Sequence, residues 1–127
     1  RRLTTENADL LREADIILDC TDNLEIRKLI DDHCHQEQKP WVHAAVIRAT
    51  GELMAITPGS KRYKDVIKGK HVEQDCAEQG ILSTAAIITG TFQATIAIKM
   101  LTGQAKDAQD KLYRIDTWKG TIDKYHV

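Results

Sequence analysis

The sequence has 127 residues, of which 42% are hydrophobic and 29% are charged, and its formal net charge is -1. This length suits a single domain with an ordinary globular composition. The net charge gives no whole-chain reason to bind nucleic acid or an anionic membrane. No uninterrupted apolar run approaches the roughly 18 residues of a membrane span, and the N-terminus lacks the apolar core of a signal peptide. We therefore expect a cytoplasmic protein that binds neither nucleic acid nor membrane.

A strand at residues 15–19 is the first strong pattern in the chain. Its apolar run ends at Cys20, which closes the strand and is expected to be buried with it. A short helix capped by Thr4 or Thr5 is predicted to lead into this strand. The strand itself leads directly into a second and longer helix.

Three residues with helix-capping side chains, Thr21, Asp22 and Asn23, lie between this strand and the longer helix. In open parallel sheets, ligands bind beyond the carboxyl ends of the strands, so a carboxylate and an amide at this junction are candidate site residues. The alternative is that Asp22 merely caps the helix, with Glu25 completing a capping box. The local pattern does not favour one interpretation over the other.

The longer helix has one apolar stripe and is expected to end before Pro40. The residues of its inward stripe are Ile26, Leu29, Ile30 and Cys34. The residues predicted to face outward are Lys28, Asp31, Asp32 and His35. Arg27 lies one helical turn beyond the capping residues, where it could pair with Asp31 at the i+4 position.

Two adjoining strands are predicted at residues 41–47 and 52–56, joined by a turn that contains Gly51. Their apolar residues fall on both faces, which indicates a sheet covered on both sides. His43 in the first of these strands is more typical of a hydrogen-bonded sheet histidine than of a catalytic base. The periodic pattern disappears over residues 57–80, which predicts a long, basic loop.

A helix that Ser83 or Thr84 caps is predicted to run to about Leu101 and to stop at Gly103. It is so apolar that it requires burial nearly all round, under the sheet or in a subunit interface. A final hairpin at residues 112–125 closes the chain. The whole pattern predicts an α/β fold with flanking helices, in which parallel strands precede antiparallel ones.

Four stretches of the sequence resemble the ThiF/MoeB/HesA family, the bacterial relatives of ubiquitin-activating enzymes. They are CTDN at residues 20–23 with Arg27, KPWVHAAVIRATGELMAITPG at 39–59, DCAEQGIL at 75–82 and GTFQATIAIKML at 90–101. They occur in the order of the family and at nearly its spacing. The resemblance implies a Rossmann-like ThiF/MoeB fold. Because no Gly-rich turn precedes the first strand, it also implies that residues 1–127 are the C-terminal portion of an adenylyltransferase domain.

The resemblance implies an enzyme that uses ATP and Mg²⁺ to adenylate the C-terminal carboxylate of a ubiquitin-like sulfur-carrier protein, as in thiamin or molybdopterin biosynthesis. Asp22 would be the catalytic carboxylate that holds the magnesium ion, and Asn23 and Arg27 would contact the nucleotide. Cys76 would form a covalent link with the activated carrier. The full-length protein would be a homodimer, and this chain alone would be inactive.

Two other interpretations remain open. The chain could be a non-catalytic carrier-binding or scaffold module of the same fold, or the distal half of a nucleotide-binding dehydrogenase, although the stretches at 75–82 and 90–101 argue against the dehydrogenase. No structural zinc is expected, because the three cysteines and five histidines include no CxxC pair. The CxxC that the family usually carries after its ITPG turn is replaced here by SKRYKDV.

Overall fold

The computed structural model of the protein describes residues 2–67 and 80–127. Within these ranges the chain forms a five-stranded sheet whose strands lie in sequence order. The strands are β1 (Ile17–Leu18), β2 (Trp41–Ile47), β3 (Thr50–Ile56), β4 (Lys111–Asp116) and β5 (Thr121–His126). β1 pairs with β2 in parallel, and each later neighbouring pair is antiparallel. The predicted mixed sheet is therefore confirmed.

Helices cover both faces of this sheet, as the apolar pattern of β2 and β3 predicts. The α-helices of the described ranges are α1 (Leu24–Gln36), α2 (Tyr63–Val66) and α3 (Ser83–Leu101). One apolar cluster joins the sheet to α3 through Val42, Leu53, Ile96, Tyr113 and Ile115. The other joins it to α1 and α2 through Ile30, Trp41, Met54, Tyr63 and Leu112. Neighbouring residues of β2 belong to different clusters because successive strand side chains point to opposite faces.

The N-terminal segment differs from its predicted form. It contains a 3-10 helix at Ala8–Leu11 that no side chain caps, so the cap predicted at Thr4 or Thr5 is wrong. Instead, the Asn7 side chain accepts a hydrogen bond from the backbone N–H of Thr4 at 2.7 Å. β1 has only two residues, shorter than predicted, because just Ile17 and Leu18 pair with β2.

α1 begins at its capping residue Asn23 and ends before Pro40, as predicted. The Asn23 Oδ1 atom accepts hydrogen bonds from the backbone N–H groups of Glu25 and Ile26 at 2.8 and 3.3 Å. Asn23 therefore performs the capping role that was the alternative for Asp22. The outward position predicted for Asp31 is wrong, since Asp31 is buried and its Oδ2 lies 3.1 Å from Arg62 Nη2.

Gly51 lies within β3 and not in the turn where the pattern placed it. The turn between β2 and β3 consists of Arg48 and Ala49, and Arg48 adopts a positive φ of 54°. A Cβ atom at position 51 would lie 1.8 Å from Thr89 Oγ1 on α3. The glycine is therefore required by the close approach of the helix to the sheet.

α3 has the predicted bounds and stops where Gly103 adopts a φ of 72°. Leu82 occupies its N-cap position without a side-chain cap, so the cap predicted at Ser83 or Thr84 is wrong. The predicted burial nearly all round is also wrong. The buried residues of the helix are Ala85, Thr89, Gln93, Ile96 and Ala97, whereas its exposed large apolar residues are Ile87, Ile88, Ile98 and Leu101.

Two further expectations concern the apolar run and the long loop. By length and composition alone, α3 is the one helix within the described ranges that could cross a membrane, although polar residues interrupt its apolar sequence. The loop predicted at residues 57–80 contains the short helix α2, and residues 68–79 lie outside the described residues. The terminal hairpin is confirmed, with β4 and β5 joined through Gly120 at a φ of 72°.

Candidate functional site

A cavity of about 580 Å³ opens beyond the carboxyl end of β1. The turn before α1 and the N-terminal half of α3 form its walls, and residues 44–46 of β2 contribute to its base. Open α/β sheets bind their ligands in this position. A cavity of about 730 Å³ between the N-terminal segment and α1 is larger, but neither Asp22 nor Arg27 lines it. The cavity beside β1 is therefore the candidate site.

Asp22 lines this cavity with an exposed side chain. Among the described residues, none donates a hydrogen bond to its carboxylate or forms an ion pair with it. The neighbouring Asn23 uses Oδ1 for the helix cap, and its amide nitrogen has no partner within residues 2–67 and 80–127. Asp22 therefore offers a carboxylate to the cavity, whereas Asn23 caps α1 beside it and is not among the residues that line the cavity.

A buried ion pair holds the turn that carries Asp22. Arg27 Nε donates to Asp19 Oδ2 at 2.8 Å, and both side chains are almost completely buried. Asp19 Oδ1 accepts hydrogen bonds from the backbone N–H of Thr21 at 3.0 Å and from its hydroxyl at 2.6 Å. Arg27 Nη2 donates to the backbone carbonyls of Thr21 and Ala44. The nucleotide contact predicted for Arg27 stays a prediction, and its guanidinium is bound to the protein itself.

His43 extends this buried network to β3. Its Nδ1 atom lies 3.3 Å from Asp19 Oδ2, and its Nε2 atom lies 3.2 Å from Glu52 Oε1. Because both neighbours are carboxylate oxygens, both ring nitrogens donate and the ring carries a positive charge. The prediction of a hydrogen-bonded sheet histidine is confirmed.

The pKa values of this network move in opposite directions. Burial favours a lower pKa for His43, but its hydrogen bonds to Asp19 and Glu52 outweigh burial and raise the pKa above 6.5. Burial favours a higher pKa for Asp19, but hydrogen bonds from His43 and Thr21 and the charge of Arg27 hold the pKa below 3.8. Each shift favours the charged form that the geometry requires.

We expect the free energy of unfolding to fall as the pH rises above neutrality. A raised pKa in the folded state means that His43 stabilises fully below its ordinary pKa of 6.5, and that this contribution is lost as the pH rises through the folded-state value. Urea unfolding between about pH 6 and about pH 9 measures the effect. His43→Gln should abolish the decrease in the free energy of unfolding with rising pH. His35→Gln, on the exposed side of α1, should retain that decrease. An equal slope in both variants would contradict the assignment.

Gln93 of α3 reaches the same turn from the opposite face of the sheet. Its Nε2 atom donates to the carbonyl oxygens of Asp19 and Val42, each at 2.9 Å, and the side chain is buried. Cys20 Sγ lies 3.7 Å from Gln93 Oε1. Sequence reasoning missed Gln93 because it lies in an apolar helix. The available signal was its i+4 spacing from Thr89, which places two polar side chains on the buried face.

The three cysteines have different surroundings. Cys20 is exposed and lines the cavity, so the expectation that it is buried is wrong, and the reason is that β1 ends two residues before it. Cys34 is buried as predicted, and burial raises the pKa of its thiol to about 12. Cys76, the predicted covalent residue, lies outside the described residues.

The mixed sheet, its flanking helices and the cavity at the carboxyl end of β1 define an open α/β domain with a ligand crevice at the strand end. The sequence matches the ThiF family over residues 1–127, and the chain belongs to that family. The predicted family and fold are therefore confirmed.

The chain is also similar in sequence to two adenylyltransferases and similar in fold to a solved structure. The chain is 35% identical over 118 residues to the molybdopterin-synthase adenylyltransferase of Haemophilus influenzae, which covers 91% of the chain and 49% of the relative. It is 32% identical over 120 residues to the sulfur carrier protein ThiS adenylyltransferase of Bacillus subtilis, covering 92% of the chain and 35% of the relative. The chain thus spans half or less of the length of these relatives.

The crystal structure of Escherichia coli MccB with ATP has a similar fold. It superposes with a TM-score of 0.72 at 14% identity, and the match covers 98% of this chain and 40% of that chain. At this identity the likeness supports the fold alone.

Proposed function

We propose that the chain is the C-terminal portion of a cytoplasmic adenylyltransferase that activates the C-terminal carboxylate of a ubiquitin-like sulfur-carrier protein. The observation that carries this proposal is the carboxylate of Asp22, which lies in a cavity at the end of β1 without a partner in residues 2–67 and 80–127. Membership of the ThiF family and the adenylyltransferase names of its relatives supply the reaction class. Sulfur delivery for molybdopterin or thiamin synthesis is the corresponding pathway type.

Asp22 and Asn23 suit a magnesium-bound nucleotide. Mg²⁺ is usually held by one or two carboxylates together with substrate phosphates and water, and Asp22 provides one carboxylate without a competing partner among the described residues. The amide nitrogen of Asn23, which has no partner among the described residues, would donate to a nucleotide oxygen. When bound, the ion offsets negative charge on the phosphates. In the described ranges no three metal-ligating side chains converge, so a site of this open type is the one that fits.

The proposed reaction joins the carrier carboxylate to the α-phosphorus of ATP. An oxygen of the carboxylate forms the new bond, the bond from the α-phosphorus to its bridging oxygen breaks, and pyrophosphate leaves with the electron pair. The product is an acyl-adenylate. In this reaction the carboxylate of Asp22 and the amide nitrogen of Asn23 would orient the nucleotide, and the buried ion pair of Asp19 and Arg27 would support their turn. One carboxylate and one amide do not form a phosphate cradle, so residues 1–127 alone should be inactive.

A pyrophosphate-exchange assay tests this function. The full-length protein should exchange labelled pyrophosphate into ATP only when Mg²⁺ and a sulfur-carrier protein with a free C-terminal carboxylate are both present. Mass spectrometry of the carrier should detect the added adenylate. A carrier whose C-terminus is amidated is the matched control, because it lacks the attacking oxygen. Carrier binding without exchange or adenylate would overturn the proposal and favour a non-catalytic scaffold.

We propose that Cys76 forms the covalent link through which sulfur reaches the carrier. Replacing it with Ser should leave adenylate formation nearly unchanged, because the thiol takes no part in attack on the α-phosphorus, and should abolish later sulfur transfer. Thiocarboxylate formation on the carrier measures this step. Cys34→Ala, which removes a thiol that does not line the cavity, is the control and should retain transfer. Full transfer by the Cys76 variant would show that the cysteine has no role.

We also propose that the full-length protein is a homodimer in which α3 faces the second subunit. The exposed side of α3 carries Ile87, Ile88, Ile98 and Leu101, and no charged residue occurs in residues 82–98. Sedimentation at micromolar concentration should give a dimer, and Ile98→Asp should give a monomer because the interface would bury an unpaired charge. The same change at the exposed Leu10 is the control. A dimeric Ile98→Asp variant would contradict this interface.

A further inference from the structure

The geometry points to a positioning unit, composed of Asp19, Arg27 and Gln93, that holds the Asp22 carboxylate toward the cavity. Asp19, Arg27 and Gln93 are each at most 3% exposed, and each is hydrogen-bonded to other groups of the protein. They act on Asp22 through its backbone neighbours. The inference rests on the proposed function, because it assigns to these residues the support of the proposed magnesium ligand.

The first part of the argument concerns Thr21, the residue before Asp22. The carboxylate of Asp19 accepts both the backbone N–H and the hydroxyl of Thr21. Arg27 donates to the carbonyl of the same residue. Every polar group of Thr21 is thus bonded to the Asp19–Arg27 pair, and this fixes the backbone on the N-terminal side of Asp22.

The second part concerns the short strand that precedes the turn. β1 contributes only two residues to the sheet, so its ladder holds the strand end weakly. The backbone N–H of Asp19 donates to the carbonyl of Val42 at 3.0 Å, and Gln93 adds a second connection, since its amide donates to the carbonyl of Asp19 and to that of Val42 on β2. The strand end is therefore held by α1 through Arg27 and by α3 through Gln93, from the two faces of the sheet.

The third part concerns Asp22 itself. The residue after it, Asn23, is fixed by its two capping hydrogen bonds. Asp22 thus lies between two fixed residues, while its own carboxylate has no partner among the described residues. A carboxylate on a backbone held in this way loses only side-chain freedom when a cation binds, and a preorganised backbone is what a metal ligand on a turn requires.

Arg27 is suited to this task by the shape of its side chain. Its guanidinium donates to the Asp19 carboxylate and to the carbonyls of Thr21 and Ala44. A lysine keeps the positive charge but offers a single nitrogen on a flexible stem, which does not reproduce these directions. Arg27→Lys therefore separates the positioning effect from the loss of charge.

The test is a double-mutant cycle in the full-length protein. Calorimetry with saturating Mg²⁺ measures the dissociation constant of ATP for each protein in the cycle. Asp22→Asn and Arg27→Lys should each weaken binding by about tenfold, and the double variant should be no weaker than Asp22→Asn alone. Binding of ATP in excess chelator should be the same in all four proteins. Arg12→Lys, an exposed arginine that pairs with Asp9, is the matched control and should bind as the wild type does.

The outcomes separate the positioning unit from the proposed function. If the two substitutions weaken ATP binding additively, Arg27 contacts the nucleotide directly. That result would overturn the positioning unit but would keep Asp22 as the proposed magnesium ligand. No loss in either single variant would overturn both proposals. If Arg27→Lys does not fold, Thr21→Val replaces it in the cycle. That variant removes one hydroxyl donor to Asp19. It should weaken ATP binding in the wild-type background but not in the Asp22→Asn background.

Discussion

Replacing Asp22 with Asn should slow adenylate formation in the full-length protein by about 10²- to 10³-fold. In the proposed reaction the carboxylate holds the ion that balances charge on the phosphate oxygens, and a neutral amide of the same shape does not supply that negative charge. Stability should change by less than about 0.5 kcal/mol, because the side chain is exposed and unpartnered among the described residues. Single-turnover adenylation and urea unfolding measure the two quantities.

Asp15→Asn is the control for this experiment. It removes an exposed carboxylate from the same segment but not from the cavity lining, so it should leave both adenylation and stability unchanged. A destabilised Asp22→Asn protein would show that the residue is needed for folding after all. An unchanged rate of adenylation would contradict its assignment as the magnesium ligand.

The elements with strong local signals could be predicted from the sequence. α1 follows from its capping residues and from Pro40, and β2 and β3 follow from two apolar runs separated by a short turn. The mistakes arise where a distant contact decides the local structure. Gly51 is a strand residue that pairs with Val46 and Ile115, and a glycine is needed there because Thr89, far along the chain, packs against it. Asp31 is buried because Arg62 approaches from another helix end.

The candidate site likewise contains residues that could be predicted from the sequence and residues that could not. The position of Asp22 could be predicted because strand-end residues of an open sheet face its ligand crevice, and Asp22 lines that crevice, whereas Asn23 caps α1 and is not among the lining residues. Asp19 and Gln93 could not, because their roles depend on which element each meets after folding. From the local pattern, Asp19 is predicted only to end a strand. Its partners, Arg27 and His43, come from α1 and β2.

The buried network that includes Asp19 is balanced in charge. Asp19 and Glu52 are negative, and Arg27 and His43 are positive, so the four side chains compensate one another. Arg114 approaches Glu52 Oε2 at 3.7 Å from the partly exposed side. A balanced buried network contributes little net stability compared with a well-packed apolar one, but removal of one member leaves a buried charge without its partner.

Arg27→Met should therefore cost about 3–5 kcal/mol of the free energy of unfolding, the largest stability change that we expect in the chain. The substitution keeps an apolar stem of similar length and removes the cation closest to the fully buried Asp19. It also leaves the carbonyl of Ala44 without its donor. Urea unfolding at neutral pH measures the loss, and Arg12→Met at an exposed position should cost less than about 0.5 kcal/mol.

A second substitution distinguishes loss of charge balance from loss of packing. Asp19→Asn in the Arg27→Met background removes the unpaired negative charge and should recover part of the lost stability, even though it deletes a further native group. The recovery should be smaller at acid pH. Without the cation, Asp19 loses one of the interactions that hold its pKa down, so the single variant already protonates that carboxyl at a higher pH than the wild type. Equal or greater destabilisation in the double variant at neutral pH would mean that Arg27 stabilises the protein through packing and hydrogen bonds, and not through its charge.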